Sequence, residues 1–474
     1  MERAIGCGGK TRGREMTVRV PTQIFREYDI RGVADRDLTD ELVYALGLAL
    51  ATMLPAGPKK RLALARDCRV SGERLHAALL RGLIEGGVHV VDAGVGPTPM
   101  LYFAAHHLDV DGGIMITGSH NPAEENGFKM MRGRASFFGA DIQALRAKIE
   151  AGDLPRTPGG KVESIDVTDD YVDAATKDIE RPKSPISVVL DAGNGAGGPL
   201  GLKALRKIGV EPEALYCEMD GLFPNHHPDP TVPKNLDALV KRVKETGARV
   251  GLAYDGDADR LGAVDANGEI VWGDKLMILF SRTVLAQNAG AAILGEVKCS
   301  QTLYDDIAKH GGRPIMWKTG HSLIKTKMKE EHALLAGEMS GHLFFADRYF
   351  GYDDAIYASL RLVELLSKTG KTMGELLADV PKTVTTPELR VDCPDDIKFD
   401  IVKAVTETFR KRGNQVTDTD GARIAFGNGA WGLVRASNTG PVLVMRFEAH
   451  DEGELLKVRT DVEEVVATER AKRK

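Results

Sequence analysis

Apolar and polar positions follow a repeated layout along the chain. A short apolar or β-branched run leads into a polar loop and then into an amphipathic stretch of helical length. Three blocks share this layout: "RLALARDCRVSG" (61–72), "ISVVLDAGNGAGG" (186–198) and "AAILGEVKCSQTL" (291–303). Strands that alternate with helices favour α/β layers, and a recurrence after about a hundred residues indicates related units. The pattern predicts three similar mixed α/β domains in series.

The last part of the chain has a different pattern. After the turn-rich "VPKTVTTPELRVDCPDD", we expect a helix over 395–411, then strands, and a closing helix near 452–472. This arrangement predicts a smaller C-terminal α+β domain.

Clusters of glycine, proline and other turn formers mark the candidate boundaries. Asn267-Gly268 between apolar flanks also predicts a hairpin turn. Residues 1–15 are glycine-rich and basic without apolar periodicity, so we read them as a disordered extension. The domains predicted after it are 16–165, 166–268, 269–381 and 382–474.

Composition limits the class of protein. The 474 residues are 43% hydrophobic and 28% charged, which is typical of a globular protein. The net charge of −5 argues against a surface whose main role is to bind polyanions. We therefore expect no nucleic-acid partner. The five cysteines form no CxxC pair, which predicts a reducing, cytoplasmic setting. Because no apolar run approaches about eighteen residues, we also expect no membrane partner.

The segment "TGSHNP" places Ser119 between a glycine and His120, at the end of an apolar run. Lys129 follows ten residues later. A nucleophilic hydroxyl would fit here, but Thr, Gly, Ser, Asn and Pro also form turns without any chemistry. The segment alone leaves both interpretations open.

The segment "DGDADR" follows another apolar run and carries Asp255, Asp257 and Asp259 at alternate positions. In an extended chain such residues share one face, where like charges repel unless a cation lies among them. Hard oxygen ligands suit Mg²⁺. The alternative is an acidic turn exposed to solvent.

Three further segments carry polar groups between apolar flanks. In "WGLVRASNTGP", the guanidinium of Arg435 and the hydroxyls of Ser437 and Thr439 suit a phosphate dianion, although "SNTG" would also form an ordinary hairpin turn. "KTGHS" carries His321. "GEMSGH" carries Glu338, Ser340 and His342, which indicates a pocket for hydroxyl groups, although a loop with satisfied hydrogen bonds would look similar.

In combination these segments are more specific than any one of them. Their order, together with "FREYDIRG" (25–32) and "FPNHHPDPTVPKNL" (223–236), resembles the α-D-phosphohexomutase superfamily, and most closely its bacterial phosphomannomutase/phosphoglucomutase branch. The resemblance implies four domains around a central cleft. It also implies that phosphorylated Ser119 passes its phosphoryl group to a hexose phosphate. A hexose 1,6-bisphosphate forms, turns over and returns its other phosphate, so that hexose 1-phosphate and hexose 6-phosphate of glucose or mannose interconvert.

The resemblance also implies roles for individual residues. One Mg²⁺ per chain would bind a phosphoserine oxygen of Ser119 and the three aspartates, with Arg260 beside them. The implied catalytic residues are Ser119, His120, Lys129, Arg31, Arg260 and His342. The implied substrate-binding residues are Tyr28, Lys298, His321, Glu338, Ser340, His342, Arg435, Ser437, Asn438 and Thr439. Lys129, His120 and His342 remain open as candidates for proton transfer.

The expected partners are hexose phosphates, with glucose 1,6-bisphosphate as activator and with the chain as a monomer or weak homo-oligomer. A metal-dependent phosphatase with a serine nucleophile is one alternative. The segment of Arg435 argues against it, because a phosphatase has no use for a second phosphate clamp. A phosphoglucosamine mutase is the nearest alternative, and that branch resembles "GEQSGH" where this chain has Met339. A non-catalytic sugar-phosphate-binding protein is the alternative of a different class.

Overall fold

The computed structural model describes residues 18–54, 60–437 and 440–473. The extension predicted at residues 1–15 lies outside the described residues. Within them the chain forms three mixed sheets followed by one antiparallel sheet, with helices packed against each. The predicted fold class, three similar α/β units and a smaller α+β unit, is confirmed.

The first sheet has seven strands in the order β1-β5-β4-β2-β3-β7, with β6 beside β5. A 3-10 turn at Thr22–Ile24 precedes it. Its elements are β1 Ile30–Val33, α1 Ala34–Asp37, α2 Asp40–Met53, β2 Arg61–Arg66, α3 Gly72–Glu85, β3 His89–Val95, α4 Thr98–His107, β4 Gly112–Ile116, β5 Glu125–Arg132, β6 Ala135–Phe137, α5 Ala140–Ala151 and β7 Lys161–Ser164.

The second sheet has the order β12-β11-β10-β8-β9, and the third has the order β14-β13-β15-β16. Elements of the second unit are α6 Thr168–Thr176, β8 Val188–Asp191, α7 Gly198–Lys207, β9 Glu213–Leu215, a 3-10 turn Pro233–Leu236, α8 Asp237–Thr246, β10 Val250–Tyr254, β11 Leu261–Asp265 and β12 Ile270–Val271. Elements of the third unit are α9 Gly273–Gln287, β13 Ala292–Glu296, α10 Gln301–Lys309, β14 Arg313–Trp317, α11 His321–Glu330, β15 Leu335–Gly337, β16 Leu343–Phe345, α12 Ala355–Thr369 and α13 Met373–Leu376.

The fourth sheet is antiparallel, with the order β17-β22-β21-β20-β19 and with β18 beside β22. Its elements are β17 Val384–Thr385, β18 Leu389–Asp392, α14 Lys398–Lys411, β19 Val416–Thr417, β20 Ala422–Gly427, β21 Ala430–Ala436, β22 Val442–Ala449 and α15 Glu452–Ala471. The helix expected from 395 begins at Lys398, because Pro394 opens a turn that accepts the backbone N–H of Ile397. The closing helix lies where the sequence predicted it.

The first three sheets share one strand order around their central strands. The corresponding strands run β5-β4-β2-β3, β11-β10-β8-β9 and β16-β15-β13-β14, and in each set three strands are parallel and the first is antiparallel to them. The three apolar blocks singled out in the sequence form the central strands β2, β8 and β13. Successive strands are added on opposite sides of these central strands, so the strand order reverses there. The carboxyl ends of strands at such a point are where open α/β sheets bind ligands.

Local signals in the sequence determine several element ends. The side chains of Thr39, Asp354 and Asp451 cap α2, α12 and α15 by accepting a backbone N–H of the first turn. The predicted hairpin turn is confirmed: β11 and β12 pair antiparallel, and Gly268 has a φ of 81°, which favours glycine.

Close helix packing supports the first sheet. Helices α2 and α3 cross where Gly47 faces Gly82, and a Cβ on Gly82 would lie 2.2 Å from the backbone oxygen of Tyr44. Only a residue without a side chain fits at this crossing.

We expect Gly82→Ala to lower the free energy of unfolding by about 1–3 kcal/mol, because the added methyl group forces the two helices apart. Thermal and urea denaturation measure the change. Gly374→Ala in α13 is the control, since its Cβ would meet its nearest atom, Asp265 Oδ2, at an ordinary 3.5 Å. Equal stability of the two variants would contradict this account of the crossing.

Candidate active site

Three loops lie at equivalent ends of the first three sheets. The serine loop (117–124) joins β4 to β5, the aspartate loop (255–260) joins β10 to β11, and the GEMSGH loop (337–342) joins β15 to β16. Ser119 Oγ donates to Asp255 Oδ2 at 2.9 Å, and Arg260 forms an isolated antiparallel bridge with His342. The shared topology therefore brings the three loops to one cleft.

Ser119 lies at the floor of this cleft and is almost fully buried. Its φ of 50° is in the left-handed region, and its backbone N–H donates to Thr117 Oγ1 at 2.8 Å. Its Oγ also lies 3.0 Å from His120 Nδ1. A non-glycine residue in this conformation, buried against a carboxylate and an imidazole, differs from a surface turn.

The aspartate loop differs from its predicted form. Asp255, Asp257 and Asp259 lie in a tight turn rather than in an extended chain, because Ala258 N–H donates to the backbone oxygen of Asp255 and Ala258 has a φ of 55°. The expectation of a shared extended face was wrong. The turn nevertheless brings one oxygen of each carboxylate within 4.8 Å of the others. All three side chains are fully buried, so the loop is not an acidic turn exposed to solvent.

Neighbouring cations offset this buried negative charge. Lys129 Nζ, on β5, lies 2.7 Å from Asp257 Oδ2 and also contacts Asp259 Oδ2. Burial would lower the pKa of Lys129, but these two carboxylates outweigh it and raise the pKa, so the ammonium is charged at neutral pH. Burial, reinforced by the other two aspartates, raises the pKa of Asp255 well above its usual value. Lys129 therefore pairs with part of the carboxylate charge and leaves part unpaired.

The remaining oxygens fit a divalent cation. Asp257 Oδ1 and Asp259 Oδ1 are buried and accept no hydrogen bond from the described residues, while Lys129 contacts the Oδ2 atom of each. Together with Asp255 they form a candidate metal-binding group whose donors are all carboxylate oxygens. Hard oxygen donors of this kind suit Mg²⁺.

The environments of the proton-transfer candidates differ. Burial, and then the charges of Arg260 and Arg31, lower the pKa of His120 well below its usual value, so this imidazole is neutral at neutral pH beside Ser119 Oγ. His342 Nε2 accepts a hydrogen bond from Arg260 Nε at 3.0 Å, and its Nδ1 lies 3.1 Å from Asp353 Oδ2. Both nitrogens of His342 therefore face protein groups, whereas His120 faces the serine.

The other predicted residues of the first and third units line the same cleft. Arg31 donates to Asp29 at 2.7 Å and to Asn121 at 2.9 Å, and Tyr28 OH donates to the backbone oxygen of Thr319 at 2.8 Å. The His321 ring stacks on that of His342.

The third unit also holds two buried carboxylates, those of Glu296 and Glu338. Glu338 accepts from Gly320 N–H at 2.7 Å and from Ser340 Oγ at 3.0 Å. Lys298 Nζ donates to Glu388 at 3.1 Å and lies 4.0 Å from Glu296.

The fourth sheet contributes Arg435, at the end of β21. Its Nε and a terminal nitrogen each lie 3.0 Å from Asp420 Oδ2, which also accepts the backbone N–H of Thr319 at 3.0 Å. Ser437 is buried in the following loop. Asn438 and Thr439 lie outside the described residues. Asp420 thus links the predicted phosphate clamp to the loop that carries His321.

Sequence reasoning missed several residues of the site. Asp353 faces His342 and accepts from Lys325 at 2.9 Å, and Asp420 joins the fourth sheet to the third. Glu296 accepts from Lys298 N–H and from Thr319 Oγ1. Arg69, fully buried, donates to the serine loop. The acidic end of β13 and the pair "DD" before α12 were the available signals, since charges that flank apolar runs are often buried in a site.

A buried serine beside carboxylates and cations, with an arginine on a separate sheet, suits phosphoryl transfer, which depends on positioning and on neutralisation of charge. Comparison with known proteins agrees. The chain matches all four domains of the phosphoglucomutase/phosphomannomutase family in order. Residues 22–156 match alpha/beta/alpha domain I, 169–268 match domain II, 272–384 match domain III and 388–465 match the C-terminal domain. The chain belongs to the phosphoglucomutase/phosphomannomutase family.

Individual relatives match nearly end to end. A phosphomannomutase/phosphoglucomutase of Pseudomonas putida is 46% identical, covering 93% of this chain and 94% of the relative. A phosphoglucomutase of Neisseria gonorrhoeae is 42% identical over 94% and 97%. The crystal structure of a phosphoglucomutase/phosphomannomutase family protein from Burkholderia thailandensis is 40% identical, covers 95% of this chain and 98% of its own, and has a TM-score of 0.89. Across the described ranges, no helix combines the length and apolarity needed to cross a membrane.

We expect Mg²⁺ to raise the melting temperature of the protein, because a ligand that binds only the folded state stabilises it, by about 2.7 kcal/mol at a hundred times its dissociation constant. Asp257→Asn should lose most of this response. Asp191→Asn is the matched control and should retain the response. Asp191 lies on β8, and its buried carboxylate pairs with His226. Differential scanning fluorimetry with EDTA and with Mg²⁺ measures it. An undiminished shift in Asp257→Asn would remove the metal from this loop.

Proposed function

We propose that the protein interconverts hexose 1-phosphate and hexose 6-phosphate, of glucose, mannose or both, through a phosphoserine at Ser119 and a hexose 1,6-bisphosphate. The single observation that carries the proposal is the buried contact of Ser119 Oγ with Asp255, between loops of two different domains. The family relationship to phosphomannomutase/phosphoglucomutase proteins at 42–46% identity supports it.

The chemistry follows from the charges around the serine. In the first half of each turnover the bond between phosphorus and Ser119 Oγ breaks and a bond from phosphorus to a sugar oxygen forms. The hydroxyl of that sugar oxygen gives up its proton to a base of the cleft, for which Lys129 and His342 are the candidates, and Ser119 Oγ takes up a proton. In the second half the bond between the other phosphorus and its sugar oxygen breaks, that oxygen regains a proton, and a bond from this phosphorus to Ser119 Oγ forms again. Transfer of this kind requires charge neutralisation and in-line positioning more than a strong base. Mg²⁺ held by Asp255, Asp257 and Asp259 would supply neutralisation at the transferring group.

Protein groups supply the remaining functions. Lys129 and Arg260 place positive charge at the cleft floor, and neutral His120 exchanges the proton at Ser119 Oγ. Glu338 would accept hydrogen bonds from sugar hydroxyls, and the Ser340 hydroxyl would accept or donate them, with His321 and Lys298 beside them. Glucose 1,6-bisphosphate would act as activator by phosphorylating Ser119.

The fourth domain would bind the phosphate that is not reacting. Arg435 and Ser437 form this clamp, with Asn438 and Thr439 as further members proposed from the sequence. A clamp away from the reacting centre uses binding energy to orient either end of the bisphosphate. The clamp also distinguishes the proposal from a phosphatase, which releases its phosphate to water.

The substrate class within the family rests on the GEMSGH loop. Met339 lies where the phosphoglucosamine mutase branch has the glutamine of "GEQSGH". Glucose and mannose phosphates are therefore the proposed substrates. The predicted domain boundaries, the cytoplasmic location and the monomeric or weakly oligomeric state remain predictions.

We expect the purified protein, primed with glucose 1,6-bisphosphate, to turn over glucose 1-phosphate or mannose 1-phosphate faster than glucosamine 1-phosphate. Ser119→Ala should lower this activity by several orders of magnitude and leave the melting temperature near that of the wild type, because it removes the phosphoryl acceptor and only one small hydroxyl. Coupled assays and phosphoprotein analysis measure the effects. Preference for glucosamine phosphate would favour the alternative mutase, and Mg²⁺-dependent binding without turnover would favour a non-catalytic protein.

We expect Arg435→Ala to raise KM for glucose 1-phosphate by about ten- to a few hundredfold, through loss of a charge-assisted phosphate contact. Phosphorylation of Ser119 should remain possible in this variant. Arg412→Ala, which breaks an exposed ion pair with Asp461 in the same domain, is the control and should leave KM unchanged. Because ligand bridges the cleft, small-angle scattering should also show compaction of the wild type with substrate, through a hinge near residue 381. An unchanged radius together with an unchanged KM would exclude the clamp.

A further inference from the structure

Arg69, in the loop after β2, is a buried cation that the serine loop encloses. Its guanidinium donates to four backbone carbonyl oxygens: Nη2 to Ser119 at 2.7 Å and Asn121 at 2.6 Å, and Nη1 to Pro122 at 2.5 Å and Glu125 at 2.9 Å. The side chain is fully buried, and its Nε lies 3.3 Å from Asp67 Oδ2. A planar fork with several fixed donors can hold carbonyls that a single ammonium cannot reach together.

Asp67 completes the support from the other side. It accepts from Thr117 Oγ1 at 2.7 Å and from Gly118 N–H at 3.3 Å, and Thr117 Oγ1 in turn accepts from Ser119 N–H. The Asp67–Arg69 pair therefore contacts the serine loop through both its donors and its acceptors. These contacts hold Ser119 in its left-handed conformation, which is costly for a non-glycine residue unless its surroundings fix it.

The neighbouring glycine confirms how closely the guanidinium lies against the loop. A Cβ on Gly118 would lie 2.5 Å from both Arg69 Cζ and Nε, so an alanine there would displace the guanidinium. Gly118 has no left-handed φ, so its backbone accepts an alanine. Above the guanidinium lies the ring of Phe223 from the second domain, 5.0 Å from Cζ. Arg69 thus contacts the serine loop and the second domain at once.

The hydrogen bond between Asp67 and the Arg69 backbone recurs at the equivalent position of the other two α/β units. At the end of each central strand an acidic side chain accepts the backbone N–H two residues later: Asp67 from Arg69, Asp191 from Gly193 and Glu296 from Lys298, at 2.9, 2.9 and 3.1 Å. The cationic side chain of the third unit, Lys298, lies beside the proposed sugar-recognition loops (318–321 and 337–342), whereas that of the first unit, Arg69, points into the serine loop.

We propose that Arg69 is a positioning residue for phosphoryl transfer: it fixes the backbone of the serine loop so that Ser119 Oγ faces Asp255 and His120. Arg69 acts through the loop backbone and not on the substrate. The inference rests on the proposed function, and it extends the site by a residue on a different loop. Because the phosphate clamp and the sugar-recognition loops lie on other domains, loss of Arg69 lowers kcat and leaves KM for glucose 1-phosphate near its original value.

The test begins with Arg69→Lys, which keeps the charge and a side chain of similar length. We expect kcat to fall by about ten- to a hundredfold and KM to change by less than about threefold, since the ammonium replaces only part of the fork. The rate of Ser119 phosphorylation by glucose 1,6-bisphosphate should fall in parallel. Arg361→Lys is the matched control, because Arg361 is equally buried, pairs with Asp347 at 2.8 Å and lies over the Phe345 ring. It should leave kcat within about twofold.

Two further experiments separate positioning from general destabilisation. Dilute guanidinium chloride, well below denaturing concentrations, should restore part of kcat in Arg69→Ala and none in Arg361→Ala. Gly118→Ala should lower kcat when it is introduced into the wild type. It should lower kcat much less when it is introduced into the Arg69→Lys variant, because the alanine methyl group acts by displacing the Arg69 guanidinium. If Arg69→Ala does not fold, the Gly118 cycle still decides.

The outcomes distinguish the two levels of the argument. If the wild type turns over no hexose phosphate, the proposed function is wrong. If the wild type is active and Arg69→Lys keeps its kcat, or the Gly118 and Arg69 effects add independently, Arg69 does not position the serine loop. A fall in kcat with strict coupling between Gly118 and Arg69 supports the inference.

Discussion

The structure depends on a concentration of buried negative charge. Three fully buried carboxylates lie within 4.8 Å of one another, an arrangement that repels itself and has lost its hydration. Cations from other parts of the chain must therefore converge on it. Lys129 comes from the first domain and Arg260 from the loop itself, and the carboxylate oxygens that accept no hydrogen bond from the described residues suit a divalent ion. Two contacts between the first two domains, Ser119 with Asp255 and Lys129 with Asp257, are made at this cluster.

Much of the fold could be predicted, because it rests on periodic patterns. The three central strands, the terminal helices and the Asn267-Gly268 turn follow from local residue types. The site was predicted as far as its chemistry is concentrated in short segments. The turn of the aspartate loop was not, since Ala258 gives no signal that it adopts a positive φ. Arg69 was not either, because its partners are backbone carbonyls that any sequence could supply.

The fourth domain is tied to the third through backbone as well as side chains. Arg423 donates to the backbone oxygens of Val297 and Cys299, at 2.5 and 2.8 Å, while its guanidinium stacks over Trp431. These contacts enclose the loop of Lys298. These hydrogen bonds join the fourth sheet to the third unit, so the proposed phosphate clamp and the proposed sugar-binding residues move together unless the hydrogen bonds break.

The contact between Lys129 and the aspartate loop also bears on how the chain is made. Lys129 precedes Asp257 by 128 residues, so it leaves the ribosome well before its carboxylate partners exist. Domains fold in order from the N-terminus during synthesis. The first sheet therefore forms with this ammonium still hydrated, and the floor of the cleft dries only when the second sheet docks against it. Docking of these two domains is therefore what encloses Lys129 between Asp257 and Asp259.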